Sequence, residues 1–242
     1  MDQAFPVQVF IDFDGTITTT DSVSRLIEQF AEDGWQEDER LWDLGQLSSV
    51  DYYMRQFQRL RLSKAGLEEF LRGVPIDPWF GPFVALAKRC SFPLAIVSDG
   101  FTPFIEKILS HYGIDGLPIF ANGLSIRESM KTGMLTLLPK PKNKKTKPQT
   151  CKVQAALCKC DVVQPLIARA MTSVYIGNGR SDFCVSQHVN GLVLFAKDEL
   201  ASNLEAKGER FFLFQSFRDV MEVLTGLMLQ DSRNIYQTME RA

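Results

Sequence analysis

Short apolar runs, each ended by glycine or a polar turn, alternate along this chain with stretches whose apolar residues recur at helical spacing. VQVFI is nearly all apolar and stops at DFDGT, so it predicts a strand buried on both faces. FPLAIVSDG, SVYIGNG and GLVLFA predict further strands of this kind. LPIFANGLSI and GMLTLLP predict two more, joined by a turn around Lys131, Thr132 and Gly133. Helical spacing marks SVSRLIEQFA with Asp21 as its cap, DYYMRQFQRL, SKAGLEEFLRGV with Ser63 as its cap, and PWFGPFVALAKRC. It returns in TPFIEKILSHYG, with Pro103 in the first turn and Gly113 at the end. CKVQAALCK, SDFCVSQHV, KDELASNLEAKG and SFRDVMEVLTGLML complete the set of expected helices.

Strands alternating with helices imply parallel crossovers, and so an α/β fold with a doubly wound, Rossmann-like, mainly parallel sheet. The helical stretch between the first two strands is too long for one crossover. It is expected to be an inserted helical cap over 17–79, with 1–16 and 80–242 forming the α/β core. A chain of 242 residues accommodates both, and no internal repeat is evident.

Composition narrows the function classes. A net charge of −2 argues against a nucleic-acid binder. No apolar run reaches membrane-spanning length, and the N-terminus lacks the basic, apolar and small-residue order of a signal peptide, so no membrane partner and a cytoplasmic location are expected. Five cysteines, an odd number, fit a reducing compartment. Cys151, Cys158 and Cys160 cluster, but their spacing does not match a zinc knuckle, and buried thiols are the plainer account. The lysines at 140, 142, 144, 145 and 147 read as a solvated loop. Trp35, Trp42, Tyr52, Tyr53 and Phe57 read mostly as packing between cap helices, with a minority facing substrate. Oligomeric state is not legible.

The chemistry gathers at strand ends, where open α/β sheets bind ligands. Asp12 and Asp14 follow the first strand, Ser98-Asp99-Gly100 the second, and Gly177-Asn178-Gly179-Arg180-Ser181-Asp182 a later one. Lys152 lies between the last two, with Lys147 as its rival. A carboxylate ionised at neutral pH can attack phosphorus, provided a cation and an ammonium cancel its repulsion from a phosphate dianion. A second carboxylic acid can protonate the leaving alkoxide. A hydroxyl and the N–H groups of a glycine turn can donate to the phosphoryl oxygens.

DFDGT after an N-terminal strand, a strand ending in serine, a lysine and then G-[DN]-G-x-x-D together resemble the haloacid dehalogenase superfamily, in its phosphoserine-phosphatase-like branch. TDSVSRLIEQF and the GNGRSD…LVLFAKDEL block are most similar to phosphatases related to 2-hydroxy-3-keto-5-methylthiopentenyl-1-phosphate phosphatase of methionine salvage. The resemblance implies Asp12 as nucleophile and Asp14 as general acid and base. It implies Mg²⁺ held by Asp12, the Asp14 carbonyl, Asn178 and Asp182, with Ser98 and Lys152 on the phosphate and Gly100 lending an N–H. The partner it implies is a small phosphorylated metabolite. Phosphotransfer to another hydroxyl, or a phospho-ligand-binding module with weakened turnover, uses the same residues. Asn178 departs from the aspartate usual at its position, and brings an oxygen ligand without charge.

Overall fold

The computed structural model describes residues 7–142, 155–168 and 171–229. In chain order its elements are β1 (Val7–Ile11), α1 (Ser22–Phe30), α2 (Trp35–Asp43), α3 (Ser49–Gln58), α4 (Lys64–Arg72), α5 (Phe80–Cys90), β2 (Leu94–Phe101) and α6 (Thr102–His111). They continue as β3 (Ile119–Glu128), β4 (Leu135–Lys140), α7 (Lys159–Leu166), β5 (Thr172–Gly177), α8 (Phe183–His188), β6 (Leu192–Ala196), α9 (Asp198–Ala206), β7 (Phe212–Leu213) and α10 (Phe217–Leu229).

The strands form one sheet in the order β4-β3-β2-β1-β5-β6-β7. All neighbours are parallel except β3 and β4, an antiparallel pair around the expected turn. Strand β1 is central, with Ile11 level with Ile96 on one side and Ile176 on the other. The chain builds outward from β1 toward β4, then restarts at β5 on the other side. This reversal at the carboxyl end of β1 creates the crevice in which α/β sheets bind ligands.

Alternation along β1 sorts its side chains between two apolar clusters. Val7, Val9 and Ile11 join the cluster that takes in α5, α6 and α10, whereas Phe10 joins the one that takes in α7, α8 and α9. Burial on both faces explains why VQVFI carries so little polar text.

The segment between β1 and α5 contributes helices α1 to α4. Asp21 caps α1 by accepting from the Ser24 N–H at 2.7 Å, and Ser63 caps α4 by accepting from the Gly66 N–H at 3.1 Å, as expected. The chain leaves and returns side by side. Thr18 and Ile76 form an antiparallel bridge, flanked by Thr19 N–H to the Pro75 carbonyl at 3.1 Å and Asp77 N–H to the Ile17 carbonyl at 2.8 Å. Tyr52, Tyr53 and Phe57 are buried in the same cluster as the sheet, whereas Trp35 and Trp42 are partly buried against it. Tyr53 and Phe57 each set a ring 5.1 Å from that of Phe101 at the end of β2.

Three elements depart from expectation, one of them α2, which no expected helix covers. CKVQAALCK was expected to be helical, but among the described residues α7 begins only at Lys159, with Cys158 extended at φ −79° and ψ 107°. The Leu157 N–H is instead taken by the Asp99 carboxylate at 2.6 Å, a tertiary contact that outbids local helical pairing. Strand β7 has only two residues and leaves no periodic signal.

Candidate active site

Asp12 ends β1 almost fully buried, and its backbone N–H donates to the Ile176 carbonyl of β5 at 2.9 Å. Its carboxylate therefore projects into the crevice at the switch point. Lys159, itself buried, donates from Nζ to Asp12 Oδ1 and to Asp182 Oδ1, both at 2.6 Å. One ammonium thus bridges the carboxylates that follow β1 and β5. Among the described residues no hydrogen bond reaches Asp12 Oδ2.

Asp14 turns the other way. Its Oδ1 accepts from the Ser22 N–H at 2.9 Å and the Ser22 hydroxyl at 2.5 Å, so the start of α1 holds it. Its Oδ2 lies beside Gly100, where a Cβ would stand 2.7 Å from that oxygen and 3.1 Å from Ser98 Oγ. Because Ser22 fixes the other end of the carboxylate, Asp14 has little room to yield, and the bare backbone of Gly100 is what lets it sit there. The Gly100 N–H donates to Ser98 Oγ at 2.9 Å. That N–H is engaged by Ser98, and the bare backbone leaves room for Asp14. Ser98, with that bond accepted, keeps its own hydroxyl proton to donate.

Gly15 adopts φ +73°, and a Cβ there would overlap Asn178 Nδ2. Asn178 Oδ1 accepts from the Thr16 hydroxyl at 2.9 Å. The DGT turn and the GNG turn therefore interlock. Asp182 behaves differently from Asn178. Its Oδ1 accepts from Lys159 and from the Tyr175 hydroxyl at 2.5 Å, and its Oδ2 from the Asn178 and Gly179 N–H groups, each at 3.0 Å. A carboxylate offers about four acceptor positions, and here all are taken. In this arrangement Asp182 anchors Lys159 and closes its own turn.

Lys152 lies outside the described residues, as does Lys147. The ammonium the structure sets against Asp12 is that of Lys159. It is delivered by Asp99, which ties the 155–158 segment to the end of β2 and is itself steadied by Asn122, whose Nδ2 donates to the Asp99 carbonyl at 2.7 Å. Lys159, Tyr175 and Ser22 are the residues here that sequence reading missed; Thr16 and Asp99 stood in its strand-end clusters without a role assigned. Tyr175 did leave a signal, because a tyrosine in an otherwise apolar strand must find a partner for its hydroxyl.

Negative charge dominates the hollow. Burial pushes Asp12 up to about 8, helped by Asp182 and opposed by Lys159. Burial also pushes Asp14 up to about 7, with Asp21 adding and the Ser22 bonds opposing. Crowded, buried carboxylates with the Lys159 ammonium against them are a donor set suited to a hard divalent cation. The resemblance implies Asp12, the Asp14 carbonyl and Asn178 among its ligands, and Asn178 Oδ1 keeps an acceptor position beside the Thr16 bond.

This sets a pH dependence. Folded values above the ordinary 3.8 mean that the native chain keeps protons the unfolded chain has released. Their contribution to stability is full below about pH 4 and is lost as pH rises through about 7 to 8. Metal-free protein should therefore lose melting temperature from about pH 5 to about pH 8, and Mg²⁺ should raise it more at the upper end. Calorimetric melts checking this would count against the charge reading if the Mg²⁺ increment were the same at both ends.

Comparison with known proteins agrees with this architecture. A 2-hydroxy-3-keto-5-methylthiopentenyl-1-phosphate phosphatase of Exiguobacterium sp. strain AT1b is 29% identical over 229 residues, covering 90% of this chain and 97% of its own. A substrate-bound phosphoserine phosphatase complex superposes with a TM-score of 0.61 at 16% identity, over 91% of this chain and 98% of its own. A phospho-aspartyl intermediate analogue of phosphoserine phosphatase gives a TM-score of 0.60 at 17% identity, over 92% and 99%. The family model described as "Putative Phosphatase" matches residues 7–198. The chain belongs to that family and is a phosphoric monoester hydrolase with the haloacid dehalogenase fold.

Proposed function

We propose that the protein is a Mg²⁺-dependent phosphatase that hydrolyses a small phosphorylated metabolite through an aspartyl phosphate on Asp12. The observation that carries this reading is the Lys159 ammonium bridging Asp12 and Asp182, beside an Asp14 that faces Gly100 and Ser98. Lys159 engages one oxygen of Asp12 and leaves the other for attack on phosphorus. Bound Mg²⁺ supplies charge neutralisation for the carboxylate and the phosphoryl oxygens.

In the first step Asp12 Oδ2 forms a bond to phosphorus as the bond to the leaving oxygen breaks. Asp14, held partly protonated at neutral pH by its burial, gives its proton to that alkoxide. In the second step Asp14 takes a proton from water, the water oxygen bonds to phosphorus, and Asp12 is released. Ser98 donates its hydroxyl proton to a phosphoryl oxygen in both steps.

Residues 17–79 act as the cap that covers the substrate and excludes bulk water. Arg180, on the same turn as Asn178, reaches this segment, donating to the Asp43 carbonyl at 3.2 Å with its guanidinium 5.2 Å from the Trp42 ring. The similarity to the Exiguobacterium enzyme supports a substrate of the 2-hydroxy-3-keto-5-methylthiopentenyl-1-phosphate kind. Measuring phosphate release from that compound, from phosphoserine and from a panel of other phosphorylated metabolites tests this. Turnover confined to phosphoserine would reassign the substrate, and no release from any would remove the phosphatase reading.

Asn178 contributes oxygen without charge, so the Mg²⁺ requirement should be high. Replacing Asn178 by Asp should lower the Mg²⁺ concentration for half-maximal activity by roughly tenfold, the weight of about 1.4 kcal/mol in a partly buried charge contact. An unchanged requirement would show that the amide is not a ligand.

A further inference from the structure

The reaction described above leaves unused a group of buried nucleophiles directly behind Lys159. Cys158 and Cys160 flank that lysine in sequence, and their spacing alone gives no metal motif. The fold adds Cys184 from α8. The three sulfur atoms lie within 4.8 Å of one another, and each residue is buried. Cys160 Sγ is 2.6 Å from Cys184 Sγ. Two sulfurs this close either join at about 2.05 Å or open to about 3.8 Å around a shared ion with metal–sulfur bonds of about 2.3 Å.

The third thiol decides between these outcomes. Joining Cys160 to Cys184 uses two sulfurs, whereas three lie within 4.8 Å of one another. Cys158 is held far below the usual thiol range by Cys160 and Cys184 against it, with the Asp161 and Cys160 N–H groups adding and burial opposing. A shared ion uses all three sulfurs and cancels most of their charge. Soft thiolate donors select zinc-type ions over Mg²⁺, and the Asp161 carboxyl bonded to Cys158 stands beside them. The cluster also has shelter, because Tyr175, Val163, Val185 and Leu200 belong to the same buried apolar group.

We propose that Cys158, Cys160 and Cys184 form a site for one thiophilic divalent cation of the zinc type, distinct from the carboxylate centre, that ties the start of α7 to α8. Binding replaces the thiol protons, which pass to water, with metal–sulfur bonds. Opening the Cys160–Cys184 contact by about 1.2 Å seats the ion, a change that side-chain rotation can supply. The ion would fix the two elements that carry Lys159 and the turn ending in Asp182.

The test is a Co²⁺ titration of the full chain after chelator treatment under reductant, with Mg²⁺ in excess to fill the oxygen site. An intense near-ultraviolet sulfur-to-cobalt band should grow to one equivalent and disappear on adding Zn²⁺. It should persist in Asp12→Asn and be lost in Cys184→Ala. One equivalent of Zn²⁺ should remain through gel filtration and raise the melting temperature of the wild type. Absence of the band in wild-type protein would overturn the proposal whether or not the cysteine variant folds. Its survival in a folded Cys184→Ala would do so too. So would a chain two hydrogens lighter, with a Cys160–Cys184 peptide, in protein purified without reductant.

Discussion

Asp12→Asn should abolish turnover, lowering kcat by about 10⁴-fold or more while the chain stays folded. The substitution keeps the shape of the side chain and removes the carboxylate proposed to attack phosphorus. Its effect on stability should be small. In metal-free protein the Asp12 carboxylate is opposed first by its own burial and next by Asp182, with Lys159 working the other way. The amide escapes most of that penalty, and Lys159 still has Asp182 at 2.6 Å. A melting temperature within a few degrees of wild type, beside lost phosphate release, separates chemistry from folding. Near-normal turnover in a preparation free of contaminating phosphatase would remove Asp12 from the mechanism.

Lys159→Met should damage both properties. The side-chain volume is roughly kept, but two buried carboxylates lose the ammonium between them. Removing one partner of such a pair costs about 3–5 kcal/mol, which for a chain of this size lowers the melting temperature by roughly 10 °C at neutral pH. The loss should deepen in alkali, because Asp12, already pushed up to about 8 with Lys159 opposing, keeps its proton at neutral pH and gives it up only at higher pH. Turnover should fall by about 10²–10³-fold, the weight of one preorganised donor, with Mg²⁺ still required. Equilibrium denaturation and phosphate release measured at two pH values check this. A variant as stable as wild type at neutral pH would show that the ion pair carries no folding energy.

The history of this lysine shows what a sequence does and does not reveal. Strand β1 was legible because VQVFI is apolar throughout and stops at charged text, and the reversal after it follows from the order of the remaining strands. Asp12, Asp14, Ser98 and the Asn178–Asp182 turn were legible because strand ends collect chemistry in this architecture. The lysine was expected at Lys152, which lies outside the described residues, whereas the one set against Asp12 among the described residues is Lys159. Helical spacing in CKVQAALCK suggested a helix start there, whereas Asp99 captures the Leu157 N–H and α7 begins only afterwards. Long-range side-chain-to-backbone bonds of this kind leave no periodic trace. The same holds for Asp182. Nothing in GNGRSD says that Tyr175, Lys159 and two backbone N–H groups fill its acceptor positions. Cys184, remote in sequence from Cys158 and Cys160, met them only through the packing of α8 on α7.

The central claim is a covalent bond between Asp12 and phosphorus, and trapping it is the most direct test. Enzyme mixed with substrate and Mg²⁺, quenched in acid within a turnover and reduced with borohydride, should yield homoserine at position 12 in the peptide spectrum. Reduction at another carboxylate, or none under conditions where phosphate is released in a burst, would contradict it.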